Sequence, residues 1–196
     1  QFLSKYKANY WSLLKLAVPI IIGQLGGIIT GLADTIMVGQ HSTEELAAAS
    51  FVNNVLNAFI IFGTGFSFAL TPLVGENLAR NKKYVAAAWK KNSLVANLLL
   101  SFVLIGILTV IYFNIDLLGQ PAELLPMIKP YFIVSMISVV FVMLANSYRQ
   151  FVEAITDPSV SMWILLSGNL LNIVGNYALI YGKFGLPEMG LIGAGY

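Results

Sequence analysis

Among the side chains able to do chemistry, one aspartate stands apart. Asp34 is the only ionisable residue between Lys15 and His41, inside a long apolar run that starts near Trp11. A carboxylate at the centre of a bilayer costs about 3 kcal/mol or more, so a membrane helix rarely carries one without use for it. Gly23, Gly27 and Gly31 recur at every fourth residue before it, the spacing of a small-residue packing face. At about 100° per residue, Asp34 falls within about 20° of Gly23 and Gly27. The acid is therefore expected to face protein and not lipid, and its chemistry there is to bind and release a cation. The plainer alternative is an acid near a helix end that snorkels to the interface.

Amides are the other candidates. Asn172 and Asn176 lie four apart with Gly168 on one face of a later apolar segment, and Asn169 is adjacent to that stripe. Asn53 and Asn57 share a face elsewhere, with Asn54 beside them, and Asn146 stands alone. Amides in membrane helices commonly bond to neighbouring helices, but three on one helix exceed what packing needs. The chain has no cysteine and one histidine, which leaves no disulfide framework, no thiol chemistry and no material for a histidine metal site or a Ser-His-Asp triad. No cofactor is expected.

These residues need helices in lipid to position them. Of 196 residues, 58% are hydrophobic and 10% charged, against about 25% charged in a soluble domain. Mean hydropathy is +0.79. The expected fold is an all-α, polytopic membrane helix bundle with five complete spans at about 12–38, 45–74, 92–113, 127–151 and 158–181. A sixth segment starts at about 191. Because that segment stops early and the chain begins with Gln1, the sequence is expected to be one lobe of a longer protein.

Within this plan Tyr10 and Trp11 form an interfacial aromatic pair, and Pro19 kinks the first span. Ser42-x-x-Glu45 is a capping box opening the second span. Asp157-Pro158 is an N-cap followed by a first-turn proline opening the fifth. Residues 75–91 are expected to form a short amphipathic surface helix, and the third span a lipid-facing strut.

Lys5, Lys7, Lys15, Arg80, Lys82, Lys83, Lys90, Lys91 and Arg149 fall on one side, nine of the eleven basic residues; only Lys129 and Lys183 fall on the other. The positive-inside rule puts the N-terminus in the cytoplasm and Asp34 in the outer half of the membrane. The net charge of +2 gives no reason to expect a nucleic-acid partner.

Several motifs occur together and in order: Pro19, Asp34 fifteen residues later within ADTIMVG, LAAAS opening the second span, LTPLVGENLAR closing it, and LLNIVGNYALIYGKFGLPEMGLIGAG from the fifth span onward. As an ordered set they resemble the N-terminal lobe of the multidrug and toxic compound extrusion (MATE) transporters. That resemblance covers nearly the whole chain. It implies twelve membrane helices in two lobes related by a pseudo-two-fold. It also implies export of organic, often cationic drug-like compounds in exchange for Na⁺ or H⁺ across the cell (inner) membrane, with a C-terminal lobe as partner. It maps the family's helix-1 acid to Asp34, its helix-1 proline, a conformational hinge, to Pro19, and its helix-5 amide to Asn172. Some members carry an aspartate where this chain has Asn176, so Asp34, Asn172 and Asn176 are the oxygen ligands on offer for Na⁺.

Three other classes fit less well. A flippase for pyrophosphate lipids calls for cations in the central cavity, and the first, second and fifth spans offer none. An embedded enzyme needs a second acid, a histidine or a metal set near Asp34. A passive structural subunit leaves a lone acid on a glycine face unexplained. Orientation gives the first prediction: an impermeant amine reagent applied to intact cells modifies Lys183 and not Lys82. Efficient labelling of Lys82 from outside reverses the topology.

Overall fold

The structure is a computed structural model and describes residues 2–155 and 158–195, without the side chains of residues 2–9 and Ser12. Its helices are α1 (Phe2–His41), α2 (Thr43–Phe68), α3 (Leu70–Ala79), α4 (Lys83–Phe113), α5 (Leu125–Ile155) and α6 (Pro158–Ile180), with 3-10 helices at Ile115–Leu118 and Gly190–Gly195. Five stretches are long and apolar enough to cross a membrane: Leu13–His41, Thr43–Ala79, Lys83–Phe113, Leu125–Ile155 and Pro158–Ile180. This is the expected all-α bundle of five spans, with a short 3-10 helix where the sixth segment was expected to begin.

Local chemistry accounts for most of the boundaries. α1 starts far earlier than residue 12 because no glycine or proline precedes Pro19, and it runs through Pro19 without ending. Ser42 caps α2 from an extended backbone, its Oγ accepting from the amides of Glu44 at 3.2 Å and Glu45 at 3.4 Å. The second span is interrupted at Ala69. Pro72 explains the break: it brings no N–H to the carbonyl of Phe68, and its ring crowds that oxygen. The Asp157 cap expected for α6 lies outside the described residues.

Two expectations are overturned on the α3–α4 side. No separate surface helix forms over 75–91. The chain turns at Arg80–Lys82, with Asn81 left-handed at φ 59°, and Lys83 opens α4 directly. Asparagine tolerates that conformation, while nothing between Lys83 and Asn92 breaks a helix. Nor is α4 a strut facing only lipid, because Asn97 and Ser101 on it are completely buried.

Packing falls into two groups. α1 lies mainly against α6. α5 sits centrally against α2, α3 and α4, and α6 touches it only slightly. Val52, Leu56, Leu104, Leu108, Phe132, Val139 and Met143 make the core of the α2–α4–α5 group. Gly63 lets Met143 approach α2 so closely that any Cβ there would overlap its sulfur. A polar seam ties the same three helices. Ser67 Oγ donates to Asn97 Oδ1 at 2.6 Å, Asn97 Nδ2 donates to the Ser93 carbonyl at 2.9 Å, and the hydroxyls of Ser93 and Ser147 lie 2.8 Å apart. With lipid outside, these groups find their partners within the bundle, Ser67 also bonding the Gly63 carbonyl at 3.1 Å.

Asn97→Ala is expected to lower the stability of the protein in mild detergent by about 1 kcal/mol, the scale of an interhelical membrane hydrogen bond. Asn54→Ala, on an exposed face, is expected to leave it unchanged. Thermal unfolding of the two variants checks both.

Candidate functional site

The site depends on how α1 meets α6. A Cβ at Gly23 would stand 3.1 Å from Leu165 Cδ1, and one at Gly26 would stand 2.8 Å from Leu166 Cδ2 and 3.0 Å from Asn169 Nδ2. Cβ atoms at Gly27 and Gly31 would meet nothing within 4 Å. The close face is therefore Gly23, Gly26 and the buried Thr30, and not the four-residue repeat expected from the sequence. Each step of four advances about 40° around the helix, which puts Gly31 some 80° from Gly23, whereas steps of three and four together hold one face. Thr30 satisfies its own hydroxyl by donating to the Gly26 carbonyl at 3.0 Å.

Asp34 lies about two turns beyond Gly26 and one beyond Thr30, about 10 Å from the end of α1 at His41. It is half-buried. Asn176 Nδ2 on α6 donates to Asp34 Oδ1 at 2.7 Å and to Asn172 Oδ1 at 3.2 Å. The three residues singled out for cation coupling are thus joined by one amino group, with Asn176 itself buried. The orientation of the Asn176 amide bears on the expected ligand set. Carboxylate and amide oxygens only accept, so the group between them must donate. Asn176 turns its nitrogen inward, and only Asp34 and Asn172 aim oxygens at the shared point. To serve as a third oxygen ligand, Asn176 would have to turn its amide over.

Beside Asp34 lies a cavity of about 160 Å³, walled by Thr35, Ser50, Asn53, Tyr131 and Ala194 among others. A second cavity of about 300 Å³ shares Asn53, Tyr131 and Ala194 and reaches Asn57, Ser135, Ser138 and Asn172. Together they occupy the space between the α1–α6 pair and the α2–α5 pair. Among the described residues, Asp34 is the only carboxylate on either wall. Tyr131 was missed in the sequence, where it stands beside Lys129 and Pro130 like an interfacial aromatic. It is buried, and its hydroxyl donates to Asn53 Oδ1 at 3.2 Å. Asn53 therefore lines the cavity and is not simply bonded between helices. Asn146 is bonded to Thr64 at 3.0 Å, as a linking amide should be. Pro19 stands apart from these groups, about 22 Å from Asp34 along α1.

Residues 19–178 match the MatE family model. The chain belongs to the MatE family. Among curated MatE relatives, a probable multidrug resistance protein NorM of Photorhabdus laumondii is 32% identical over 93% of this chain, and the multidrug resistance protein NorM of Vibrio parahaemolyticus is 31% identical over 97%. The chain spans 40% and 42% of their respective lengths. In fold it resembles a solved structure described as the outward-facing conformation of a multidrug resistance MATE family transporter, with a TM-score of 0.81 at 23% identity, over 93% of this chain and 40% of that one.

The packing of this MatE chain predicts an asymmetry between neighbouring glycines. Gly26→Val is expected to push α1 off α6 and destabilise the protein by about 1–3 kcal/mol. Gly27→Ala is expected to stay within about 0.5 kcal/mol of wild type. Thermal unfolding in detergent distinguishes them, and equal effects would invalidate the α1–α6 contact described here.

Proposed function

We propose that this chain is the N-terminal lobe of a secondary active exporter and not an enzyme. It moves organic, often cationic, compounds outward in exchange for Na⁺ or H⁺ and works with a C-terminal lobe by alternating access. Its N-terminus is cytoplasmic, and Asp34 is the exchange group in the outer half of the membrane. The observation that carries this reading is the convergence of Asp34 and Asn172 oxygens on one Asn176 amino group beside a polar cavity. The names of the relatives as multidrug resistance proteins support the substrate class.

The chemistry follows from the donor between two acceptors. With no cation bound, the Asn176 amino group satisfies both oxygens, and its bond to the ionised carboxylate is charge-assisted. An arriving Na⁺ takes those oxygens and displaces the amino group. An arriving proton neutralises Asp34 and weakens the bond. Either event loosens the tie between α1 and α6 at that level, so ion binding acts directly on how the two helices sit together. Proton and Na⁺ compete for the same oxygens. A cationic substrate in the adjoining cavity feels the same charge, which favours ion and drug in turn over both together. Pro19 gives α1 a point at which to bend in response.

Asp34→Asn keeps shape and most hydrogen bonding while removing the charge. It is expected to insert normally, since an amide is cheaper in lipid than an acid. Gradient-driven drug efflux from proteoliposomes of the full-length protein is expected to fall by about tenfold or more, equivalent to about 1.4 kcal/mol. Wild-type pumping with unchanged ion dependence would show the carboxylate to be a bystander. Asn172→Ala is expected to weaken Na⁺ dependence more than drug binding, because it removes an oxygen and leaves the charge. Pro19→Ala is expected to slow transport while leaving folding intact. Transport at the wild-type rate in that variant would reduce Pro19 to ordinary membrane composition.

A further inference from the structure

At the end of the bundle where α1 and α6 finish, His41 is held by two carboxylates at once. Its Nδ1 lies 2.8 Å from Glu45 Oε2, and its Nε2 lies 3.0 Å from Glu188 Oε1. The three residues come from three places: the end of α1, the first turn of α2 and the loop after α6. Ionised carboxylates only accept, and a neutral imidazole has one N–H. Both contacts are satisfied together only when the ring carries two protons. The neutral ring would set a lone pair against one of the glutamates.

We propose that His41, Glu45 and Glu188 form a proton-binding site distinct from Asp34, which fastens the loop after α6 to the α1–α2 corner when the imidazole is doubly protonated. The surroundings contain the groups such a site requires. Among the described residues, the titratable groups facing His41 are Glu45 from α2, Glu188 from the loop and Tyr181 just after α6, whose ring centroid lies 6.3 Å away. Tyr181 spends its hydroxyl on the Met37 carbonyl at 2.9 Å, so it does not compete for the imidazole. Residues Gly190–Gly195 bring no titratable group.

The consequence reaches the cavity through the backbone. Gly190, at φ 53°, is pressed against the pair; a Cβ there would lie 2.6 Å from Glu45 Oε1 and 3.1 Å from His41 Cε1. Met189 N–H donates to the Leu179 carbonyl at 2.9 Å and starts the 3-10 helix against α6. Five residues on, Ala194 walls the cavity beside Asp34. Glu45 is well covered but Glu188 is exposed, with side-chain exposures of 16% and 64%, so the Glu188 contact is the one that opens when the proton leaves. The loop is then freed at its Glu188 end while Glu45 keeps the histidine. Protonation at the membrane surface thereby governs how firmly one wall of the cavity is held.

The test uses full-length protein in lipid nanodiscs and reads structure, not transport. Hydrogen exchange of the Met189 amide, corrected for its intrinsic rate, is expected to lose about tenfold in protection as pH rises far enough to take the second proton from the imidazole. Imidazole nitrogen NMR, assigned to His41 by loss of the signal in His41→Gln, is expected to show both nitrogens protonated at the low end. His41→Gln replaces two N–H groups on opposed ring atoms by a single amino group that does not titrate, and is expected to give low, pH-independent protection. Glu188→Gln, at an exposed position that leaves the helices intact, is expected to blunt the pH dependence. Asp34→Asn is expected to leave the profile unchanged, so failure of the exchange mechanism and failure of this site are separable. A wild-type profile that persists in both His41→Gln and Glu188→Gln, or a His41 ring that stays singly protonated while Met189 remains protected, overturns the proposal.

Discussion

An ionised carboxylate in an apolar environment needs donors fixed in place, because no bulk water is at hand to supply them. Asp34 receives its donor from Asn176 across the α1–α6 interface at 2.7 Å. That distance is possible only because the helices approach closely some two turns earlier, at Gly23 and Gly26. The glycines set the separation, the separation sets the reach of a short amide, and the amide holds the acid. Larger residues at the contact would part the helices and leave both polar groups without partners.

The remaining polar groups divide by the company they keep. In the α2–α4–α5 group, Ser67, Asn97, Ser93 and Ser147 are bonded in a closed chain among packed apolar residues, with Asn97 fully buried. A group so enclosed has no room to exchange partners and serves to hold helices together. Around the cavity between the α1–α6 pair and the α2–α5 pair, Asn172 of α6, Asn53 of α2 and Ser138 of α5 look onto open volume instead. There a bond can be traded for a ligand. The same residue types do structural work inside the α2–α4–α5 packing and face a cavity at its edge, and what separates the two is free space.

That distinction explains what could be seen in the sequence. The spans were legible because twenty apolar residues in a row have few alternatives. Asp34 was legible because its isolation is itself costly, and Asn172 and Asn176 because their four-residue spacing puts them on one face. Asn97 was not, since a single amide in an apolar helix carries no hint of its neighbours. Tyr131 was hidden for a related reason: its burial is decided by α2, far away in the chain. The glycine face was read in the wrong register because a four-residue repeat drifts around the helix, and only the partner helix shows which positions stay in contact. The turn at Asn81 was masked by composition. A basic, alanine-rich stretch suits a surface helix and the first turns of a membrane helix equally well, and the break between them rests on one left-handed residue.

Energy scales constrain how such a site can drive a conformational change. A single interhelical hydrogen bond in a membrane is worth about 0.6 kcal/mol on average. Reversing a two-state population from 1:99 to 99:1 takes about 5.5 kcal/mol. Loss of the Asp34–Asn176 bond therefore falls well short of switching a lobe by itself. The larger contribution has to come from the charge, since neutralising a half-buried carboxylate removes a desolvation penalty of several kcal/mol that depends strongly on which arrangement surrounds it. Under the proposed exchange, a state that closes the cavity over Asp34 would be costly while the acid is ionised and would become accessible once a cation sat on it. The amides then have a narrower task. In that proposal they would make the ion-free state specific, by giving the carboxylate one defined partner on α6, and would define the geometry a cation must reproduce to take that partner's place.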